Sequence, residues 1–537
     1  MLQKEYDVIV IGGGATGAGT ARDCALRGLS VLLVERFDFT CGATGRNHGL
    51  LHSGARYAVT DEESARECIE ENMILRRIAR PFVEQHDGLF ITLPDDDLSY
   101  QARFVEACQK AGIRADIIDP EEARQLEPAV NPSLIGAVRV PDGSVDPFRL
   151  TMANVLDAQL HGADVLTYHE VVDFITENGR VMGVKLRNNM DGALSEARGQ
   201  ITVNAAGIWG TLIARMAGVE VNMFPAKGSL LIFGHRVNNM VINRCRKPAN
   251  ADILVPGDAI TVIGTTSDRV PIETVDDMRV TPEEVDILLS EGAQLAPALA
   301  STRILRAYAG VRPLVASDDD PSGRSISRGI VCLDHETRDG LAGFITITGG
   351  KLMTYRAMAE AATNMVCKKL NNDKPCTTAL APLPGAEEVG DKPRKKETPS
   401  YAFLARLMRY GTMAEQIAQN NEFENSLVCE CEEVTVGEIK HVVEKLHVRS
   451  LTQLRRRTRV GMGTCQGELC ALRAAGVLCN ACRLNVNETR ADLANFIDER
   501  WKGMYPIAWD AALNEAQLTA YIYQDLCGLT PEKGGKQ

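Results

Sequence analysis

Four cysteines near the C-terminal end fall in two pairs, Cys429-Glu-Cys431 and, after 33 intervening residues, Cys465-Gln-Gly-Glu-Leu-Cys470. Thiolates so grouped are ligands for a soft metal centre. In an extended segment, side chains two apart share a face, so Cys429 and Cys431 can reach one metal atom. The second pair sits in a glycine-rich turn (Gly461, Gly463, Gly467) that opens a helix near Leu469 to Leu478. Backbone N–H groups in such a turn, and the helix N-terminus, favour a negatively charged centre. Arg455, Arg456, Arg457 and Arg459 add positive charge nearby and read as a solvated helix face or docking patch. The four thiolates suit an iron–sulfur cluster or a structural zinc. A separate C-x-x-C, Cys479-Asn-Ala-Cys482, has the form of a metal or redox pair, and we read it as incidental to the four.

A second chemistry is written at the other end. The β-branched run Tyr6–Ile11 ends in Gly12-Gly13-Gly14-Ala15-Thr16-Gly17. A helical pattern follows through Ala21, Cys24 and Leu26 to Gly28, and a second apolar run, Val31 to Val34, ends at Glu35. Strand, glycine turn, helix and strand in this order bind a dinucleotide. Gly12 permits the turn, Gly14 lets backbone approach a pyrophosphate, and Gly17 lets helix and strand pack closely. Glu35 lies 18 residues beyond Gly17, where its carboxylate can accept hydrogen bonds from a ribose. A carboxylate there argues against the 2′-phosphate of NADP. The N-terminal position of the motif favours FAD. Two further strand-to-glycine turns, Ile201–Trp209 and Gly343–Lys351, read as parts of the same flavin site. The second is followed by a helical pattern from Tyr355 to Val366.

The segment Gly42–Tyr57 resembles the flavin-facing loop of the glycine/D-amino-acid oxidase superfamily. Gly310-Val-Arg-Pro-Leu314, Gly349-Gly-Lys-Leu-Met-Thr-Tyr-Arg356 and His52-Ser-Gly-Ala-Arg-Tyr57 narrow the resemblance to FAD-dependent glycerol-3-phosphate dehydrogenases. The cysteine segment resembles a bacterioferritin-associated-ferredoxin-like domain, and the combination points to the anaerobic, three-subunit members of that family. The resemblance implies an α/β fold in which an FAD-binding, Rossmann-like part is interleaved with a mixed-sheet substrate part. A small, α-rich iron–sulfur domain follows.

The resemblance further implies oxidation of sn-glycerol 3-phosphate to dihydroxyacetone phosphate, by hydride transfer to FAD. A flavin that gathers two electrons needs a one-electron outlet, which favours a [2Fe–2S] cluster over zinc on Cys429, Cys431, Cys465 and Cys470. The partners implied are a flavoprotein B subunit, with FMN, and a membrane-associated iron–sulfur C subunit. Electrons would reach quinone indirectly, in fumarate or nitrate respiration at the cytoplasmic face of the inner membrane. For the flavin site the resemblance adds Ala15, Thr16, Arg36, Thr44, Gly45, Asn47, Gly49, Ala206, Gly207, Gly349, Gly350, Lys351 and Leu352 to the N-terminal motif. The substrate's phosphate carries about two negative charges. Arg56, Arg312, Lys351 and Arg356 are candidate cations for it, and Tyr57 is a candidate neighbour. By resemblance Arg56 and Arg312 hold the phosphate, while His52 and Lys351 sit near the reacting hydroxyl. Which of the two is the base stays open: histidine titrates near neutrality, whereas lysine needs its pKa lowered by burial.

The elements that must position these groups fit a chain of 537 residues, enough for several cores at roughly 100–200 residues each. The apolar fraction is 45% and the charged fraction 24%, which excludes wholesale disorder. A net charge of −12 without a long basic block excludes nucleic acid as the main partner. It also means that an anionic substrate needs a local cationic pocket. No apolar run is long enough to span a membrane, and the first residues do not read as a signal peptide. Six of the fifteen cysteines fall between Cys429 and Cys482, and the rest read as small buried hydrophobes in a reducing compartment.

We expect an oxidoreductase part over 1–375, a proline- and charge-rich linker over 376–425, the cluster domain over 426–484 and a helical tail over 485–537. A helical pattern spans about 400 to 420. The tail reads as two short helices around Trp501–Trp509 that pack on the body. Two other functions remain open: a related flavoenzyme for another anionic substrate, such as a 2-hydroxy acid or amino acid, and a non-catalytic, metal-binding assembly subunit.

Overall fold

The structure is a computed structural model, and it describes residues 5–315, 329–387, 400–417 and 422–529. Residues 388–399 and 418–421, both inside the expected linker, lie outside the described residues, as do the last residues of the tail.

The β-branched run becomes strand Glu5–Ile11 and lies inside an eight-stranded sheet. It pairs in parallel with Val31–Val34 on one side and with the long strand Leu194–Asn204 on the other. Phe344–Gly349 continues the parallel set beyond Leu194–Asn204. All three glycine turns of the sequence therefore leave the same end of one parallel sheet, where ligands bind in open α/β folds. An antiparallel hairpin, His169–Glu177 and Arg180–Asn188, completes that sheet's other flank. Helices Ala15–Leu26, Pro147–Leu160 and Tyr355–Leu370 share a core with the parallel strands, built on Val8, Val10, Leu33, Val203 and Ile345.

Close approach explains two of the motif glycines. A Cβ on Gly17 would lie 1.9 Å from the Gly12 carbonyl oxygen, and Gly12 itself has φ +113°. No other residue type satisfies both.

A nine-stranded mixed sheet, mostly antiparallel, stands beside the first. Its long strands Phe224–Phe233 and Ile304–Leu314 pair over their whole length. Its members come from residues 88–140 and 224–314, and the first sheet takes strands from before, between and after those stretches. The interleaving expected from the sequence is thus what the chain does.

The cysteine segment folds as a short hairpin, Leu427–Cys429 with Val434–Thr435, followed by helices Val436–Leu446, Leu451–Thr458 and Ala471–Cys482. Upstream, the expected helix near 400–420 is Tyr401–Tyr410, followed by a 3-10 turn over Gly411–Gln416. The tail differs from expectation. It begins with a 19-residue helix, Val486–Met504, not a short one. Leu493, Phe496 and Tyr523 join Cys429, Cys470 and Leu478 in one core. The Phe496 ring fills the space that side chains at Gly461 and Gly467 would take, so the tail buttresses the turn that carries the second cysteine pair. Its other end reaches the mixed sheet through Ile507 and Ala512.

The arginine run is not a solvated face. Arg457 is buried and forms a two-point pair with Asp38 at 2.6 and 2.9 Å, and Arg456 reaches the same carboxylate at 2.8 Å. Arg459 bonds Glu432, Asp146 and Asp258. The bonds to Asp38, Asp146 and Asp258 dock the cysteine segment on the oxidoreductase body of the same chain, while Glu432 belongs to the segment itself. Burial opposes the Asp38 charge, but the Arg457 and Arg456 guanidiniums outweigh it and hold the carboxyl below the usual carboxylate range.

Lowered in the folded state, Asp38 stabilises the docked form above its unfolded pKa of about 3.9. That contribution is lost as pH falls through the folded value. Asp38→Asn should therefore cost about 3 kcal/mol, because it strands two partly or wholly buried guanidiniums. Hydrogen exchange should show earlier opening of residues 427–482 than of the first sheet; simultaneous opening of both would refute this docking role.

Candidate active site and thiolate cluster

A cavity of ≈ 640 Å³ runs along the end of the parallel sheet where the three glycine turns meet. Gly12, Gly14, Ala15, Thr16, Glu35, Arg36, Thr44, Ala206, Gly207, Gly349, Gly350 and Leu352 line it, with Asn47 at its edge. Gly17, Gly45 and Gly49 do not line it: Gly17 packs on Gly12, Gly45 against Thr40, and Gly49 against Val145. Their effect on the cleft is through backbone shape.

The loop is tied by its own polar groups. Thr44 Oγ1 accepts from Ala15 N at 3.1 Å, and Asn47 Nδ2 donates to the Ala43 and Thr44 carbonyls. Glu35 accepts from the backbone N–H of Gly13 at 2.7 Å and of Phe37 at 2.9 Å. Burial raises its pKa against the pull of those N–H groups. Arg36 packs over the Trp209 ring and pairs with Asp276.

Farther along the cavity stand His52, Arg56, Tyr57, Arg312 and Lys351. Strand Leu50–Leu51 delivers His52, and the 3-10 turn Ala55–Tyr57 delivers Arg56 and Tyr57. That turn starts at Gly54 with φ +93°, where a Cβ would strike the Ala65 carbonyl. Arg312 projects from strand Ile304–Leu314, opposite Ala226. Lys351 caps the turn before helix Tyr355–Leu370. The His52 and Tyr57 rings lie 5.0 Å apart, and Lys351 Nζ lies 4.6 Å from the centre of the Tyr57 ring. His52 Nδ1 accepts from Gly54 N at 3.1 Å, with the buried Asp142 carboxylate 3.8 Å away. Burial raises the Asp142 pKa, opposed by its bond from Ser53.

The two arginines expected to hold the phosphate are braced from behind. Arg56 donates to Asp252 at 3.2 Å and to the Ala249 carbonyl at 3.3 Å, and its Nη1 is buried without a hydrogen-bond partner. Arg312 donates to Ser267 Oγ, to the Thr266 carbonyl and to Thr265 Oγ1.

Arg356 must be corrected. It does not face the cavity; its guanidinium is buried against Glu71, Glu360 and Thr378. Two carboxylates consume its charge, so no anion can recruit it. The residues behind the site, Asp142, Asp252, Thr265 and Ser267, have no local signal in the sequence. Asp252 meets Arg56 across 196 positions.

The cysteines form a second centre. Cys470 contacts Cys429 and Cys465, and Cys465 contacts Cys431. Among the described residues no three metal-ligating side chains converge on a single ion position; the four thiols run in a row. Backbone N–H groups of Gly461 and Glu432 point at Cys429, and those of Leu469 and Gly467 at Cys465. Hydrogen bonding from the Cys470 thiol and those N–H groups brings the Cys465 pKa down to about 5. A side chain at Gly463 would lie 2.4 Å from Cys431 Cβ, so glycine keeps the pocket open. Donor type, grouping and N–H cradle fit a thiolate-held [2Fe–2S] cluster. Cys479 and Cys482 turn away, their thiols bonding the Leu484 and Val448 carbonyls at 3.2 Å.

A dinucleotide cleft on an interleaved two-sheet body, joined to a four-thiolate centre, defines an FAD-dependent oxidoreductase with an iron–sulfur relay. Residues 7–356 match the family of FAD dependent oxidoreductases, and residues 427–480 match BFD-like [2Fe-2S] binding domains. Over 535 residues the chain is 63% identical to the A subunit of anaerobic glycerol-3-phosphate dehydrogenase from Escherichia coli (strain K12), covering 99% of this chain and 98% of that one. It is 58% identical over 529 residues to the protein of the same name from Haemophilus influenzae, covering 98% and 94%. The chain belongs to this family of dehydrogenase A subunits. In fold it is similar to a solved glycerol-3-phosphate dehydrogenase from Bacillus halodurans, with TM-score 0.69 at 22% identity, covering 94% and 96%. No helix among the described residues is long and apolar enough to cross a membrane.

Proposed function

We propose that the chain oxidises sn-glycerol 3-phosphate to dihydroxyacetone phosphate and hands the electrons to partner subunits. The observation that carries this reading is the pair of braced guanidiniums, Arg56 and Arg312, in the same cavity as the flavin loops. Bound FAD supplies the hydride acceptor, and the cluster supplies a one-electron outlet.

In this reading Gly12, Gly14, Ala15 and Thr16 approach the pyrophosphate, and Glu35 receives a ribose hydroxyl. Arg56, through Nη1, and Arg312 hold the phosphate, a task suited to the planar fork of arginine. His52 accepts the Gly54 N–H on Nδ1, which puts the neutral ring's proton on Nε2. His52 then orients the substrate hydroxyl by donating to its oxygen. The Lys351 amine is left to take the hydroxyl proton, and Tyr57 closes the side of the cleft between them.

Arg312→Ala should raise KM for glycerol 3-phosphate about thirtyfold or more, the effect of removing one partner of a desolvated charge pair. The response to glycerol, which lacks the phosphate, should barely change. An equal loss on both, or a preference for 2-hydroxyglutarate or sarcosine in a dye-linked assay, would reject the assignment.

The onward partners in this reading are a membrane-associated iron–sulfur C subunit and an FMN-bearing flavoprotein B subunit. They pass electrons to quinone at the cytoplasmic face of the inner membrane. Support comes from the Escherichia coli and Haemophilus influenzae relatives, each of which is one component of a multi-subunit dehydrogenase. Exposed apolar side chains on the tail, Leu518, Tyr521 and Leu526, offer a contact surface for such partners.

A further inference from the structure

A second cavity, of ≈ 1570 Å³, lies where the flavin part meets the cysteine segment. It exceeds the ~300–1,000 Å³ of an ordinary ligand pocket. Arg46, Asn47 and His48 line both cavities, and Cys431 opens on the larger one from the far side.

Most charges on its wall are engaged. Arg149 and Arg459 share Asp146 and Asp258, Arg456 pairs with Asp38, and Arg236 with Glu84. Four guanidiniums on the wall stand outside this network: that of Arg80, which is exposed, and those of Arg46, Arg306 and Arg455, which are half-buried. No hydrogen bond or ion pair joins those of Arg46, Arg306 or Arg455 to another described residue, and Arg306 Nε is fully buried without a partner. Burial lowers the pKa of each, and the neighbouring charges of Arg306 and Arg456 lower that of Arg455 further. Glu499, a carboxylate whose field reaches all three, is half exposed and pairs with Lys502 at 2.5 Å, bonding none of them.

Buried cations ordinarily keep a counter-charge. Elsewhere this molecule supplies one to Arg22 (Asp157), Arg27 (Asp23) and Arg356 (Glu71), while Arg406 makes do with Asn425. Three half-buried arginines with no ion pair of their own, around a cavity, make a site for an anion; Arg455 has only the Phe496 ring beneath it. The excess charge matches a phosphate monoester, at about −1.5 to −2, better than a single carboxylate. The rest of the wall is mixed: Ser144, Asp277, Glu387, Thr412 and Glu433 stand beside an apolar and aromatic part made by Phe148, Ile232, Ile260, Tyr308 and Trp501, and that part suits a ligand with an apolar body.

We propose that this interdomain cavity binds an organic phosphate monoester with an apolar body, held by Arg306 and Arg455 with Arg46 on the shared wall. The site is distinct from the substrate cations Arg56 and Arg312.

Equilibrium dialysis of the full-length protein, loaded with FAD and cluster, against 4-nitrophenyl phosphate tests it. The double variant Arg306→Gln/Arg455→Gln should weaken binding about thirtyfold or more, while Arg312→Ala should leave this site intact. Arg306→Lys/Arg455→Lys should restore much of the affinity, because it returns the charge. Should the glutamine pair lose flavin or cluster, Arg306→Gln alone against Arg306→Lys carries the comparison. Inorganic phosphate and 4-nitrobenzoate should each bind more weakly than the ester. Unchanged binding in the glutamine variants with flavin and cluster retained, or loss of all binding in Arg312→Ala, would overturn the proposal. Inorganic phosphate binding as tightly as the ester would overturn the apolar half of the ligand. None of these readouts uses glycerol 3-phosphate turnover, so failure here leaves the dehydrogenase reading untouched.

Discussion

Lys351→Met should slow the reduction of bound flavin by glycerol 3-phosphate by about 10²- to 10⁴-fold, the range contributed by a positioned proton acceptor. Methionine keeps the length and apolar stem of lysine and removes only the amine. Lys351 is half-buried, and its Nζ rests on the Tyr57 face, so the stem should still fill its place. The neighbouring backbone is set independently: Gly349 and Gly350 have φ +83° and +66°, and Thr354 Oγ1 accepts from Lys351 N at 2.9 Å. The FAD cleft should therefore survive, with flavin content and its visible spectrum unchanged. Single-turnover absorbance under anaerobic conditions separates the proton step from later electron flow. Unchanged rates would return the base role to His52. A His52→Asn variant then becomes informative, since asparagine can still donate to the substrate oxygen but cannot take its proton.

The parts of this site that could be read from the sequence are those whose geometry is local. Gly17 is fixed by a clash with the Gly12 carbonyl within one strand–helix unit, so their spacing carries the turn with it. The four cysteines are legible for a similar reason: thiolates grouped in pairs have few other uses than metal ligation.

Charged side chains behave differently, because type and spacing record valence and not partner. Arg356 shares a short motif with Lys351, yet Glu71, 285 positions away, neutralises it. The run Arg455–Arg459 has the composition of a solvated helix face, and Asp38, more than four hundred positions upstream, makes it an internal clasp. Asp252 shows the same limit in reverse, since nothing near it in sequence marks it as the brace of Arg56. The tail was legible as helical from its pattern. Its contribution to the cysteine turn rests on one ring, Phe496, meeting two glycines about thirty positions earlier. Pairing and packing of this kind are settled by the fold, after local preference has fixed the elements.

Cys465→Ser should abolish the reduced-cluster EPR signal and most of the bound iron, yet leave dye-linked oxidation of glycerol 3-phosphate near the wild-type rate. A serine hydroxyl is a harder and far less acidic donor than a thiol whose pKa stands at about 5, so it competes poorly for iron. Cys465 is also one of the two inner members of the row of thiols, in contact with both Cys431 and Cys470, so its loss divides the ligand set. The scaffold should tolerate the change. The sulfur is only partly buried, and the core beneath is formed by Cys429, Cys470 and Phe496. The flavin cleft should tolerate it too, since none of its lining comes from residues beyond Met358. An artificial dye collects electrons directly from the reduced flavin, so it bypasses the missing centre; transfer onward through partner subunits should stop. Cys479→Ser and Cys482→Ser form the contrasting pair, because their sulfurs bond backbone carbonyls outside the row. If the signal survives Cys465→Ser but disappears on changing Cys479 or Cys482, the ligand set is wrong. If dye-linked activity falls together with the iron, the two centres are not separable in the way the two ends of this chain imply.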